Sequence, residues 1–319
     1  MPRIVVLDGY TTNPGDNPWD ALAELAELEV YERTPRELVA ERVRGASVLL
    51  TNKTVLDAAA IAAAPELKGI CVLATGYNVV DVAAASARGV AVCNVPAYST
   101  PSVVEHTFAL LFELVRRVGE HDQAVHAGEW VSSQDFTFWK SPQRELSGRC
   151  FGVVGYGEIG RGVARVAAAL GMRVLATPSR RLAPEAGVEV CELGELARRA
   201  DVLSLHCPLT PDTAEVVRWS LLSEMRREAL IINTARGGLV RAADLARALD
   251  EGIIAGAALD VLSQEPPRAD DPLLRAKNCI ITPHLAWTSV EARRRLLSVS
   301  VENVRQILAG KPQNRVSAG

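Results

Sequence analysis

Three residues of this chain could run acid–base chemistry on a small oxoacid, and each follows an apolar run. The run 230–233 leads through Thr234 and Ala235 to Arg236 and two glycines. The run 255–259 leads to Asp260 and then to Glu265, ahead of two prolines. The run 279–282 leads to Pro283 and His284. In open α/β sheets the ligand crevice lies beyond the carboxyl ends of the strands. A guanidinium there offers parallel donors to a carboxylate and its neighbouring carbonyl oxygen. An imidazole gives a proton to oxygen as hydride reaches carbon, or takes it in reverse. An acid orients the ring and stabilises its charged form. Arg236, Glu265 and His284 together therefore suit the reduction of a 2-oxo acid. Each alone fits an ordinary role as local ion pair, loop acid or surface histidine, and the shared placement carries the reading. The other histidines fit less well. His106 falls inside a predicted helix, His121 and His126 in a polar stretch after it, and His206 just before Pro208.

A second constellation is Gly155-Tyr156-Gly157-Glu158-Ile159-Gly160. An apolar run, 150–154, enters it, a helical pattern with Val163, Val166, Ala167 and Leu170 leaves it, and another run, 173–176, follows Gly171. In that setting the first glycine makes the turn, the second admits a pyrophosphate, and the third lets helix and strand pack. The helix N-terminus supplies free N–H groups to the phosphates. A purely structural glycine turn is the competing account. The ribose-reading position, about 20 residues on, normally carries an acid in NAD sites. Here it reads Thr177-Pro178-Ser179-Arg180-Arg181. A hydroxyl and two guanidinium groups suit a 2′-phosphate, so NADPH preference, or at least use of both dinucleotides, is expected. The two arginines as solvated loop charges would leave NADH in play.

The elements that must position these groups follow from periodicity. In residues 1 to about 98, apolar strand candidates at 4–7, 47–51, 69–74 and 90–94 alternate with helical patterns at 18–28, 35–44, 56–63 and 79–88. That alternation predicts a doubly wound parallel sheet. Residues 99–120 predict one long helix, capped within 99–102, with Phe108, Leu111, Phe112 and Val115 on a face. Residues 127–146 hold Trp130, Phe136, Phe138 and Trp139, four of the ten Trp and Phe residues, in a loop-like stretch. That concentration suggests a contact surface or a satellite cluster. From 149 the alternation resumes, with roughly six strands expected at 150–154, 173–176, 202–206, 230–233, 255–259 and 279–282. A last helix is expected from about 288 to 309, with Thr288 and Glu291 as a capping box and Leu297, Val301, Val304 and Leu308 as its stripe.

Composition limits the alternatives. The 319 residues carry 48% hydrophobic and 23% charged residues and a net charge of −3, ordinary for a globular chain of about two domains. The absence of basic excess and the 5% aromatic content speak against nucleic-acid binding. No apolar run of membrane-spanning length and no leader-like N-terminus is visible. The six scattered cysteines fit buried thiols in a reducing cytoplasm, and no metal site is expected.

The chain resembles the D-isomer-specific 2-hydroxyacid dehydrogenase family nearly end to end. The likeness rests on ATGYNVVD at 74–81, GYGEIG at 155–160, HCPLT at 206–210, NTARGG at 233–238, ALDV at 258–261, Glu265-Pro266 and Thr282-Pro283-His284. LDGY at 7–10, LTNKT at 50–54, GEW at 128–130 and FTFW at 136–139 resemble its glycerate dehydrogenase or hydroxypyruvate reductase branch. The resemblance implies an α/β chain of two doubly wound domains with a cleft between, a Rossmann coenzyme domain and a flavodoxin-like substrate domain. The substrate domain would be discontinuous, 1–98 and 285–319. The coenzyme domain would be 99–284, with a dimerisation helix and arm at about 99–147 and a homodimer as the assembly. Arg236, Glu265 and His284 match the family's catalytic residues, and Gly76 the backbone that holds the substrate carboxylate. Asn52, Lys53 and Tyr77, with the aromatic arm, would read the substituent, and Thr75 joins Gly76 among the substrate-binding residues. Asp260 matches the acid at the nicotinamide carboxamide. Thr107, His206, Cys207, Pro208, Thr213, Thr234 and Ala235 fall where the family lines the cofactor. Pro178 departs from the family's usual Asp. Two other roles share the fold. A dinucleotide-sensing corepressor would predict a peptide groove and slow turnover. A formate- or phosphite-type dehydrogenase commonly carries Gln where Glu265 stands.

Overall fold

The computed structural model describes residues 1–179 and 182–317, and Arg180 and Arg181 lie outside the described residues. Two compact units form, one from Met1–Ser99 with the chain from Trp287 onward, the other from Thr100–Ala286. The first unit runs β1 (Arg3–Val6), α1 (Asp20–Ala23), β2 (Glu27–Val30), α2 (Val39–Arg42), β3 (Val48–Thr51), α3 (Ala58–Ala62), β4 (Gly69–Val72), α4 (Val82–Ala87) and β5 (Ala91–Cys93). Its five strands lie parallel in the order β2-β1-β3-β4-β5. Successive side chains of a strand face opposite sides, so this sheet feeds two cores. Val5, Leu49 and Ile70 enter one, while Ile4, Val48, Leu50 and Cys71 enter the other. The C-terminal helix, Val290–Leu308, covers the second face with Leu296, Val301, Val304 and Ile307.

The second unit opens with α5 (Thr100–Arg116) and α6 (Val118–His126). It continues through β6 (Cys150–Val154), α7 (Glu158–Ala169), β7 (Arg173–Ala176), β8 (Val188–Val190), α8 (Leu193–Arg199), β9 (Val202–Leu205) and α9 (Trp219–Leu222). It ends with β10 (Leu230–Asn233), α10 (Ala242–Asp250), β11 (Gly256–Leu259) and β12 (Cys279–Ile281). Seven parallel strands stand in the order β12-β11-β10-β9-β6-β7-β8. The order reverses between β9 and β6, the switch point beyond which doubly wound sheets bind ligands. The expected α/β class is the class the chain adopts.

Several expectations need correction. The pattern at 18–28 is not one helix: only α1 is helical, and Glu27–Val30 pairs with β1 as the edge strand β2. The second sheet has seven strands rather than six, because Val188–Val190 pairs with β7. The helix expected over 99–120 is broken at Arg117, which takes a left-handed φ of 47°. The polar stretch that holds His121 and His126 is a second helix, α6. The last helix is capped by Ser289, whose hydroxyl accepts from the Ala292 N–H at 3.2 Å, not by Thr288.

Candidate active site

The phosphate-binding turn is built by close approach. Every residue of β6 is buried. Gly155 follows with φ of 96°, and a Cβ there would lie 2.5 Å from the Cys207 nitrogen. Its N–H donates to Thr177 Oγ1 at 3.0 Å. A Cβ on Gly160 would meet the Gly155 carbonyl oxygen at 2.2 Å, whereas one on Gly157 would meet nothing within 4 Å. The backbone at Gly157, at the start of α7, thus has room for a ligand beside the helix's free N–H groups. Glu158 is exposed there, Ile159 half-buried, and Tyr156 is buried with its hydroxyl accepting from the Glu185 N–H at 3.3 Å. Beside the turn is a cavity of about 300 Å³ lined by Tyr156, Thr177, Pro178, Ser179, Leu182 and Val190. An open glycine cradle next to such a cavity fits the pyrophosphate and adenosine of a dinucleotide. Ser179 Oγ accepts from the Leu182 N–H at 3.2 Å and shapes that rim. Arg161 and Arg165 are both engaged by Glu185, and this pairing, chiefly through Arg165, holds the carboxyl down at about 2.

The next strand ends extend the site. The His206 N–H donates to the Val154 carbonyl at 2.7 Å, and its Nε2 lies 2.8 Å from Ser204 Oγ. Burial pushes the His206 imidazole down to about 3, so it is neutral near pH 7. The half-buried Cys207 thiol is raised by burial. Thr213 Oγ1 donates to the Pro208 carbonyl at 2.7 Å and accepts from the Thr210 N–H at 2.8 Å, closing that turn. Thr107 on α5 and Thr234 after β10 are both buried, with their hydroxyls 3.2 Å apart. The Ala235 N–H donates to Asn233 Oδ1 at 3.0 Å.

Adjacent parallel strands β10, β11 and β12 deliver the three acid–base candidates. Arg236 is exposed, with Nη1 donating to the Ala235 carbonyl at 2.7 Å. A Cβ on Gly237 would lie 1.9 Å from the Leu262 carbonyl carbon, so the turn bearing Arg236 rests on the loop that leads to Glu265. Glu265 Oε1 accepts from the Leu262 N–H at 3.1 Å, and Oε2 lies 2.6 Å from His284 Nδ1. With Nδ1 held by the carboxylate, Nε2 of His284 is the ring atom in position to exchange a proton with a ligand. His284 adopts a left-handed φ of 55°, a conformation that a residue with a side chain keeps only when its surroundings impose it. Its N–H donates to the carbonyls of Asp260 at 2.8 Å and Thr282 at 2.9 Å.

Asp260 is wholly buried. Its carboxylate accepts from the N–H groups of Leu285 at 2.7 Å and Ala286 at 2.9 Å and from the Thr282 hydroxyl at 2.6 Å. Burial would raise its pKa; bonds from His106, Thr282 and the two N–H groups outweigh that and hold it below the usual carboxylate range. In the first unit, Asn52 is buried, and its Nδ2 donates to the Leu73 carbonyl at 2.6 Å. Asp8 gathers the N–H groups of Asn52, Lys53 and Thr54 at 2.6–2.7 Å. Thr75 Oγ1 donates to the Val95 carbonyl at 2.8 Å, and Gly76 and exposed Tyr77 follow on the same loop. Sequence reasoning missed His106, Thr282 and Asp8 as shaping residues. The signal for His106 was a lone histidine next to Thr107 on an otherwise apolar helix face.

Residues 108–286 match the family described as D-isomer specific 2-hydroxyacid dehydrogenase, NAD binding domain. The chain is 44% identical over 321 residues to a hydroxypyruvate reductase of Blautia hydrogenotrophica, covering 99% of each chain. It is 42% identical to a glycerate dehydrogenase of Methylorubrum extorquens, with 92% of each covered. Among solved structures, the NADPH-dependent glyoxylate/hydroxypyruvate reductase of Sinorhizobium meliloti in complex with citrate superposes with a TM-score of 0.85 at 30% identity, covering 99% of this chain and 98% of that one.

Proposed function

The chain belongs to the D-isomer specific 2-hydroxyacid dehydrogenase family, and from that premise we propose that it reduces hydroxypyruvate and glyoxylate to D-glycerate and glycolate, with NADPH preferred. It is a nicotinamide-dinucleotide-dependent oxidoreductase of 2-hydroxy acids. The observation that carries the assignment is the Glu265–His284 pair at 2.6 Å on strand ends neighbouring Arg236. A dinucleotide held at the glycine turn 155–160 would supply hydride for the carbonyl carbon. His284 gives its Nε2 proton to the carbonyl oxygen, which completes the hydroxyl. Glu265 stabilises the imidazolium that forms in the reverse direction and fixes the ring's tautomer. Arg236 binds the substrate carboxylate and the adjacent oxygen through paired N–H donors. The 1–98 and 285–319 segments take the substrate role, with Gly76, Thr75, Tyr77 and Asn52 assigned to it, and 99–284 the coenzyme role. The preference for NADPH rests on Pro178 and Ser179 standing where an acid would repel a 2′-phosphate. A homodimer and a cytoplasmic setting, where its six thiols stay reduced, complete the reading.

The test is a kcat/KM matrix of hydroxypyruvate, glyoxylate, pyruvate and bulkier 2-oxo acids against NADH and NADPH. Hydroxypyruvate and glyoxylate with NADPH should lead. His284→Asn should lower kcat by roughly 10²–10⁴-fold while dinucleotide affinity stays near its starting value. Failure to turn over any 2-oxo acid would end the substrate assignment, and a strong NADH preference would end the cofactor one.

A further inference from the structure

The turn that presents His284 is held almost entirely by residue 260. Its main-chain oxygen takes the N–H of His284, and its carboxylate takes those of Leu285 and Ala286. Three successive N–H groups converge on one buried acid, and they lock the left-handed conformation at His284. A buried carboxylate needs donors to remain ionised, and two further ones come from side chains. The Thr282 hydroxyl donates its single proton to Asp260 Oδ1 at 2.6 Å. That oxygen can then only accept from His106 Nε2, 3.1 Å away, so Nε2 of His106 carries a proton. The same nitrogen lies 3.3 Å from Asp260 Oδ1. His106 thus reaches the site from α5, far along the chain, and completes a relay of donors: imidazole to hydroxyl to carboxylate to the turn of His284.

We propose that His106 and Thr282 are positioning residues for the reduction: they fix the Asp260 carboxylate and, through it, the turn that aims the His284 imidazole. The role rests on the proposed reduction, because it is the placement of that reaction's acid that they set. Without the His106 and Thr282 donors, the carboxylate loses two of its ties, and the turn relaxes toward ordinary backbone geometry. The His284–Glu265 bond and the direction of Nε2 change with it.

The test compares His106→Leu and Thr282→Val, which remove the donors, with His106→Gln and Thr282→Ser, which keep one. The expected result is a fall in kcat of about 10- to 100-fold for the first pair, the scale on which misplacing a reacting group by about an ångström acts. Dinucleotide Kd, read by fluorescence titration, should weaken by much less than kcat falls, because the glycine turn at 155–160 is untouched even where Asp260 loosens. The conservative pair should recover most of the rate. Proton NMR gives a second readout. The downfield resonance of the His284 Nδ1 proton shared with Glu265, assigned by its loss in His284→Asn, should vanish or move in His106→Leu and Thr282→Val and persist in the conservative pair. Unchanged kcat with an unchanged resonance in His106→Leu overturns the proposal, as does equal loss in His106→Gln and His106→Leu. If the wild-type protein reduces no 2-oxo acid, the assigned reaction fails, while the resonance still decides whether His106 holds the turn.

Discussion

His206 is a histidine that folding keeps neutral. Its imidazole falls from an ordinary value near 6.5 to about 3 because burial removes water from the charged form. The unfolded chain therefore takes up a proton there as pH drops through about 6.5, and the folded chain does not until about 3. Stability contributed by this group is present above 6.5 and declines between the two values, with a slope approaching about 1.4 kcal/mol per pH unit for one proton. Urea unfolding at pH 7, 6, 5 and 4 should show a shallower decline in His206→Gln than in the parent. Parallel declines in the two proteins would mean that His206 titrates normally when folded. Single residues also mark how far a sequence can be read. Arg236, Glu265 and His284 were legible because each follows a strand-like apolar run, so topology alone brings them to neighbouring strand ends. His106 was not legible as a partner of Thr282, because that hydroxyl is 176 positions away, and a lone histidine on an apolar helix face does not say what it meets.

At the scale of elements, the buried strands announce themselves, as do the apolar edge strands β5 and β12, whereas the polar edge strands do not. β3, β4, β6, β9, β10 and β11 are buried at every position, and strands covered on both faces read as continuous apolar runs. β2 and β8 close sheet edges, expose Glu27 and Glu189, and carry no such run, as edge strands commonly do. The break at Arg117 has no proline or glycine at the break itself to mark it. The loops after β10 and β11 behave as one unit, and Gly237 is the contact between them. Its missing Cβ would sit inside the backbone of Leu262 and Ser263, 1.9 Å and 2.3 Å from their nearest atoms. Neither neighbour is a flexible side-chain end, so Gly237→Ala must part the Arg236 turn from the Glu265 loop. We expect a loss of about 3 kcal/mol in denaturant unfolding, together with a fall in kcat/KM well beyond that of Gly157→Ala assayed at saturating dinucleotide. A Gly237→Ala protein with parental stability and turnover would show that the two loops move independently.

At the scale of the whole molecule, the second unit leaves a run of large apolar side chains uncovered. Along α6 and the stretch that follows, Val118, Trp130, Val131, Phe136 and Trp139 are exposed, Val131 and Phe136 to 92% and 89%. Trp130 donates its indole N–H to the Phe136 carbonyl at 3.0 Å, and His121 bridges back by accepting from the Lys140 N–H at 3.1 Å. The arm is therefore internally tied rather than slack, which presents its aromatics as a preformed surface. Exposed apolar side chains concentrated in one arm suit an interface, and a second copy of the chain is the partner that the proposed homodimer supplies. Sedimentation at micromolar concentration should give a dimer. Replacing Val131, Phe136 and Trp139 together with serine should give a monomer that keeps its thermal unfolding midpoint, because these side chains make little contact with their own unit. A parental protein that sediments as a monomer would remove the homodimer. A triple variant that remains dimeric would move the interface off the arm.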